Sequence, residues 1–356
     1  MNYSLLIIDI IAKNNDFKLH FNIISPIDWG GYSLIGSKKA KGQFFSKDYT
    51  NVLKGICCII VIYVHFPDIY QNTLQDAIGS FAYIAVTLFF MVSSYGMMLS
   101  AERKKSYLDS FWRNRLVALL IPAFLVNIVA TSFGGVKGNL VISGLIHING
   151  YVMVLLQFCL WFYIVQIARK KWFENNIMLN DMLLIGGVVL SSIYLYLFKY
   201  GTVSAEAGWC FERVGLVWGI LLYRNFDRFV EWMDEKRWMK AIVLCLLSLV
   251  LGVAYLKYKT VWLWGEYLLK IILGIVIITF LFTISSNRRF GNKFSFWLGN
   301  ISYEVYLSHG IMMGMLVYYL PQLTSGYFIL FTVLSTLVIS FLIHEIGKPI
   351  ISKLRK

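Results

Sequence analysis

The sequence predicts an all-α integral membrane protein, a bundle of about ten transmembrane helices with N- and C-termini in the cytoplasm. Three observations carry this. Of 356 residues, 58% are apolar and only 15% are charged, against about 25% charged in soluble domains. No core of ordinary size hides that much apolar surface, and the mean hydropathy of +0.66 points to lipid as the main solvent. Apolar stretches of roughly 17 to 25 residues, the length of a bilayer crossing, recur along the chain. The Lys and Arg residues between them alternate between dense and sparse.

Taken in order, the expected spans are about 51–68, 78–100, 113–132, 151–168, 181–199, 208–223, 239–257, 261–285, 295–319 and 326–346. Before them, residues 1–47 read as a polar, basic cytoplasmic lead in which Lys38, Lys39 and Lys41 suit anionic lipid. Its one apolar run, Leu5 to Ala12, contains Asp9, lacks a cleavage pattern and is too short to span. Residues 48–350 form the transmembrane domain and 351–356 a basic cytoplasmic tail. Of the 33 basic residues, 26 fall on one face of this topology and four, Lys137, Lys199, Lys257 and Lys259, on the other. The positive-inside rule then places the rich face and both termini in the cytoplasm. Trp112, Trp238 and Trp297 near the inner ends, with Trp209, Trp262 and Trp264 near the outer ends, suit interfacial belts.

The net charge of +14 is thereby explained by topology, which leaves little reason to invoke nucleic acid. Cys57, Cys58, Cys159, Cys210 and Cys245 sit in apolar stretches with no CxxC spacing. They suggest neither a disulfide framework nor a metal site.

An ionisable side chain in hydrocarbon costs roughly 2.5 to 3.5 kcal/mol on insertion scales, so each one requires a reason. His65, a neutral-range acid or base, lies eleven residues after Lys54 on the first span, about 16 Å along a helix at 1.5 Å per residue. The pair brackets much of the bilayer; a histidine bonded to a neighbouring helix beside a snorkelling lysine is the competing reading. Glu266 and Lys270, four residues apart, can pair locally. Glu212 and Arg213 are adjacent, point in different directions and need partners elsewhere. On the ninth span Glu304 is expected at midplane and His309 at outer depth, with His344 and Glu345 at the inner end of the tenth.

These residues also carry a resemblance. Asn51-Val-Leu-Lys54-Gly55 through His65 is similar to a first-helix pattern of a basic residue, ten others and a histidine. Phe89-Phe90-Met91-Val92-Ser93-Ser94-Tyr95-Gly96 is similar to a Phe-Phe-x-x-Ser-Gly-aromatic run, with Ser94 in place of glycine. Phe111-Trp112-Arg113-Asn114-Arg115 leading to Pro122 resembles a third-helix pattern, although Ala118 stands where a second arginine is expected. Leu160-Trp161-Phe162 and the segment Gly299 to His309, with Ser302, Tyr303, Tyr306 and Leu307, complete the series. Together, from about 48 to 350, they resemble acyltransferase family 3, the integral membrane acyltransferases of the carbohydrate O-acetyltransferase type.

The resemblance implies transfer of an acyl group, most often acetyl, from cytoplasmic acyl-CoA (acetyl-CoA as donor) to a hydroxyl of an extracytoplasmic or lipid-linked glycan such as a capsule, exopolysaccharide or O-antigen. The setting it implies is a bacterial inner membrane, with the lipid bilayer, the donor and the glycan as partners. His65 then serves as general base or first carries the acyl group. Lys54, Arg113 and Arg115 offer charge for the CoA phosphates. Ser93, Trp161, Glu212, Arg213, Tyr303 and His309 are expected to line the passage. The rival is a multi-span transporter or flippase of a lipid-linked glycan, which polar residues at depth also suit.

Overall fold

Why apolar helices can satisfy lipid is visible on their surfaces. In the computed structural model, which describes residues 35–39, 44–66, 77–104, 106–136, 142–200, 209–286 and 288–355, the helix Arg237–Tyr258 turns Leu249 (62% exposed) and Val253 (69%) outward. A helix with such a face is stable only against hydrocarbon. Among the described residues, seven helical segments are long and apolar enough to cross a membrane: Ala77–Arg103, Phe111–Gly134, Gly150–Trp172, Ile177–Phe198, Arg237–Tyr258, Trp264–Ser285 and Gly326–Arg355. The chain is an integral membrane protein.

In chain order the helices are α1 (Lys47–Val64), α2 (Tyr83–Arg103), α3 (Phe111–Val136), α4 (Gly150–Trp172), α5 (Ile177–Phe198), α6 (Val214–Arg224), α7 (Phe226–Asp234), α8 (Arg237–Tyr258), α9 (Lys270–Ser285), α10 (Lys293–Asn300), α11 (Ser302–Tyr319) and α12 (Ser325–Arg355). A 3-10 turn, Ile142–Ile146, precedes α4 and a π-helical turn, Trp264–Leu269, leads into α9. One antiparallel pair joins β1 (Ile35–Lys39) to β2 (Arg288–Phe290), with Ile35 opposite Phe290 and Lys39 opposite Arg288. Lys38 and Lys39 of the expected lipid-bound lead therefore sit in a strand; Lys41 and Leu5 to Ala12 lie outside the described residues.

The three expected spans outside the seven are α1, α6 and α11. Helix α1 holds Lys47, Asp48 and Lys54 in its 18 residues. It ends at Val64 with His65 as its C-cap (φ −88°, ψ 0°), so His65 closes the helix rather than lying within it. Helix α6 has only 11 residues. The span expected as 295–319 is broken in two. Asn292 and Ser295 form a reciprocal capping box that starts α10, and Ile301 separates it from α11. Asn51 of α1 explains the break, because its Nδ2 donates to the Phe296 carbonyl (3.1 Å) and to Asn300 Oδ1 (2.6 Å), holding the end of α10 against α1.

The ends of α2, α4 and α6 meet at Glu102, which Arg169 (3.5 Å) and Arg224 (2.7 Å) both approach. There Arg224 binds Asp181 through Nε (2.7 Å) and Nη2 (3.1 Å) and reaches Glu102 through Nη1 (2.7 Å). This ties α6 to α5 and α2 with a bidentate geometry that a lysine could not reproduce. Phe44 and Phe45, on the polar lead by sequence, are buried among Tyr49, Tyr95, Phe226 and Phe282. That packing holds Phe45 in the left-handed region at φ 53°.

Close approach of α2 and α6 depends on glycine. A Cβ on Gly215 would overlap the Thr87 carbonyl, and one on Gly219 would overlap Ser94 Oγ and the Met91 carbonyl. This small-residue seam lets backbones meet where lipid gives no hydrophobic drive. Ser94 is fully buried and its hydroxyl is directed to the Met91 carbonyl at 3.2 Å. We expect Gly219→Ala to cost about 1 to 3 kcal/mol of stability by overpacking. Thermal unfolding of the detergent-solubilised protein checks this, and an unchanged midpoint would refute the close-contact account.

Candidate active site

At the end of α1 the His65 ring lies against His309 of α11, ring centroids 4.6 Å apart. His65 Nδ1 is 2.7 Å from the Val61 carbonyl. A carbonyl only accepts, so Nδ1 carries the hydrogen, and in the neutral ring the lone pair is then on Nε2. His65 is exposed whereas His309 is 8% exposed. One turn earlier on α11, Tyr306 lies 5.9 Å from His309 and continues to Tyr151 of α4 at 4.5 Å and Phe89 of α2 at 6.1 Å. Phe90 stacks on Tyr151 at 5.0 Å. The result is an aromatic wall running from the histidine pair into the bundle. Ser93, whose hydroxyl donates to the Phe89 carbonyl at 2.8 Å, faces Tyr151 along this wall.

Nearer the start of α1, Lys54 is half-buried within electrostatic reach of Glu304. Glu304 stands in the first turn of α11, five residues and therefore about 7.5 Å along the axis from His309. It is buried, with Oε1 3.0 Å from His344 Nδ1 of α12. Its Oε2 has no hydrogen-bond partner among the described residues. Sequence depth alone set Glu304 apart from His344; the break before α11 and the antiparallel course of α12 bring them together. The Tyr303 hydroxyl donates to the Leu119 carbonyl at 2.8 Å and fastens α11 to α3. Beside it a cleft of about 540 Å³ opens, lined by Ala118, Tyr303, Glu304, His344, Lys348 and Arg355 among others. Ala118, the expected arginine position, thus lies opposite cations contributed by α12.

The remaining expected residues occupy separate places. Arg115 donates to the Tyr107 hydroxyl at 2.8 Å and lies 5.9 Å from the Phe111 ring centroid. Arg113 is exposed in the first turn of α3. Trp161 packs over Gly187, its Nε1 donating to the Leu183 carbonyl at 3.1 Å, and lines a lateral cavity of about 450 Å³ with Gln157, Ser191 and Arg213. Buried Arg213 donates from Nη1 to Ser191 Oγ at 3.1 Å. Glu212 faces elsewhere, with Oε1 3.5 Å from Lys270 Nζ.

That last contact corrects the expected Glu266–Lys270 pair. Residues 264–269 form a π turn, whose wider winding takes positions four apart off a common face. Glu266 instead accepts from the Tyr196 hydroxyl at 3.1 Å. Tyr151 and Tyr306 were not singled out by sequence reasoning as lining residues; Tyr306, three residues before His309, was the available signal. Among the described residues no group of three His, Cys, Asp or Glu side chains is arranged to hold a metal ion.

Several helices apolar and long enough to cross a membrane, with an exposed histidine whose Nδ1 is held by a backbone carbonyl, define a membrane protein equipped for acid–base or nucleophilic chemistry. Comparison with family models narrows the class: the acyltransferase domain model Acyl_transf_3 matches residues 47–345. The chain belongs to this acyltransferase family. No curated protein and no solved structure matches it.

Proposed function

We propose that the protein is a membrane O-acyltransferase that moves an acyl group, most often acetyl, from cytoplasmic acyl-CoA to a hydroxyl of an extracytoplasmic or lipid-linked glycan. The observation that carries the reading is the His65 geometry: Nδ1 tied to Val61, Nε2 without a hydrogen-bond partner among the described residues, and the ring paired with His309 about 16 Å along the helix from Lys54. An extended pantetheine arm covers that span. In this reading ten segments cross the bilayer, both termini are cytoplasmic, and the setting is a bacterial inner membrane.

The chemistry follows from one lone pair. Nε2 takes the proton of the acceptor hydroxyl as its oxygen attacks the thioester carbonyl; the C–O bond forms, the C–S bond breaks, and the imidazolium returns the proton to the departing thiolate. In the alternative order Nε2 attacks the thioester first and an acyl-imidazole passes the group to the hydroxyl. Lys54, Arg113 and Arg115 contribute positive potential for the donor phosphates. Ser93, Tyr303, His309, Trp161, Glu212 and Arg213 act in this scheme as polar and aromatic supports of the passage.

Proton NMR of surface glycans tests the reading in cells with and without the gene. O-acetyl signals are expected to vanish on deletion while glycan quantity holds. Export that falls with acetylation unchanged would overturn the enzyme in favour of a transporter.

A further inference from the structure

The cleft between α3, α11 and α12 has a polarity of its own. His344, Lys348, Ile351, Ser352 and Arg355 all line it, spaced so that one face of α12 presents them. Lys348 and Arg355 are seven residues apart, about 10 Å along the helix, farther than one phosphate group reaches. Arg355 is seated by its Nη2 contact to the Asn114 carbonyl at 3.4 Å, which leaves the rest of the guanidinium for a ligand. Ala118 and Pro122 line the α3 side; both are small, and the proline lacks an N–H to close the helical bond to the Ala118 carbonyl. At the other limit lies Glu304, buried, with Oε2 unpartnered among the described residues.

A ligand that fits this order carries two anionic groups about 10 Å apart along α12, for Arg355 and Lys348, and a neutral hydrogen-bond donor beyond the Lys348 end, at Glu304. Phosphates beside Glu304 would be repelled, whereas an amide N–H there would satisfy Oε2. We propose that this cleft holds the coenzyme A portion of the acyl donor, with Lys348 and Arg355 binding its phosphates and Glu304 accepting from an amide of the pantetheine arm. The proposal rests on the acyl-transfer reading and moves the main anion contacts from Arg115, which is occupied by Tyr107, to the last helix.

Purified protein in nanodiscs, wild type and Lys348→Gln/Arg355→Gln, is titrated with coenzyme A and with pantetheine, and KM and kcat for acetyl-CoA are measured on the same samples. Both substituted residues are exposed, so the fold is expected to survive. Coenzyme A should bind the double variant at least tenfold more weakly, with pantetheine binding equal in both and KM raised while kcat holds. Equal coenzyme A affinity in the two proteins overturns the assignment. A deficit that appears only when anionic lipid is present also overturns it, since the cations then serve lipid headgroups. Charge-dependent coenzyme A binding with no acyl transfer by the wild type would retire the acyl-transfer reading and keep the cleft. Normal transfer with an unchanged KM in the variant would do the reverse.

Discussion

Replacing His65 by alanine yields a folded, membrane-inserted protein whose acyl transfer falls by at least about 100-fold, the lower range for loss of a positioned acid–base group. Stability is spared because the ring is exposed and its hydrogen bond returns to Val61 of its own helix; such substitutions usually stay within about 0.5 kcal/mol. His65→Gln refines the test, since an amide can keep the donation to Val61 while lacking a basic nitrogen. Both variants should be equally inactive and should melt with the wild type. A rate within threefold of wild type in either, measured with labelled acetyl-CoA, removes His65 from the chemistry. His309→Ala is the contrasting case. That ring is buried against His65 and Tyr306, so its loss leaves a cavity as well as an altered site, and activity and stability should fall together.

The contrast between these histidines shows what the sequence could reveal. Lys54 and His65 stand out because a charged and a titratable group on one apolar segment are costly and therefore conspicuous. The long apolar helices are legible for the same reason, since hydropathy integrates over many residues. Geometry set by single contacts is not legible that way. Hydropathy does not mark Asn300 and Ile301 as a boundary, so two helices read as one span; the grip of Asn51 on Phe296 and Asn300 decides the break. Phe44 and Phe45 read as part of a polar lead because their neighbours are polar. They are buried because α7, α2 and α9 supply Phe226, Tyr95 and Phe282. The Glu304–His344 contact spans 40 residues, and no local spacing announces it.

The largest expected stability effect follows from the other pairing that local spacing got wrong. Lys270 Nζ sits 3.5 Å from Glu212 Oε1, with the lysine side chain 16% exposed and the glutamate 6%. The ammonium also lies 3.9 Å from the Phe211 ring centroid and 4.8 Å from that of Tyr83, while the Tyr83 hydroxyl donates to the Lys270 carbonyl at 2.7 Å. Lys270→Met keeps the volume and the aromatic contacts but strands the Glu212 carboxylate, one oxygen of which already lacks a partner among the described residues. Breaking a buried pair in this way costs about 3 to 5 kcal/mol, whereas removing both charges is often nearly neutral. Lys270→Met should therefore lower the melting midpoint sharply, and Glu212→Gln/Lys270→Met should recover most of the loss. A double-mutant cycle with no coupling would show that the two groups are solvated separately and that Glu212 has a different counter-charge. The recovered double variant also separates structure from function. If Glu212 only balances Lys270, transfer returns with stability; if its carboxylate lines the acceptor path, the protein is stable and the rate stays low.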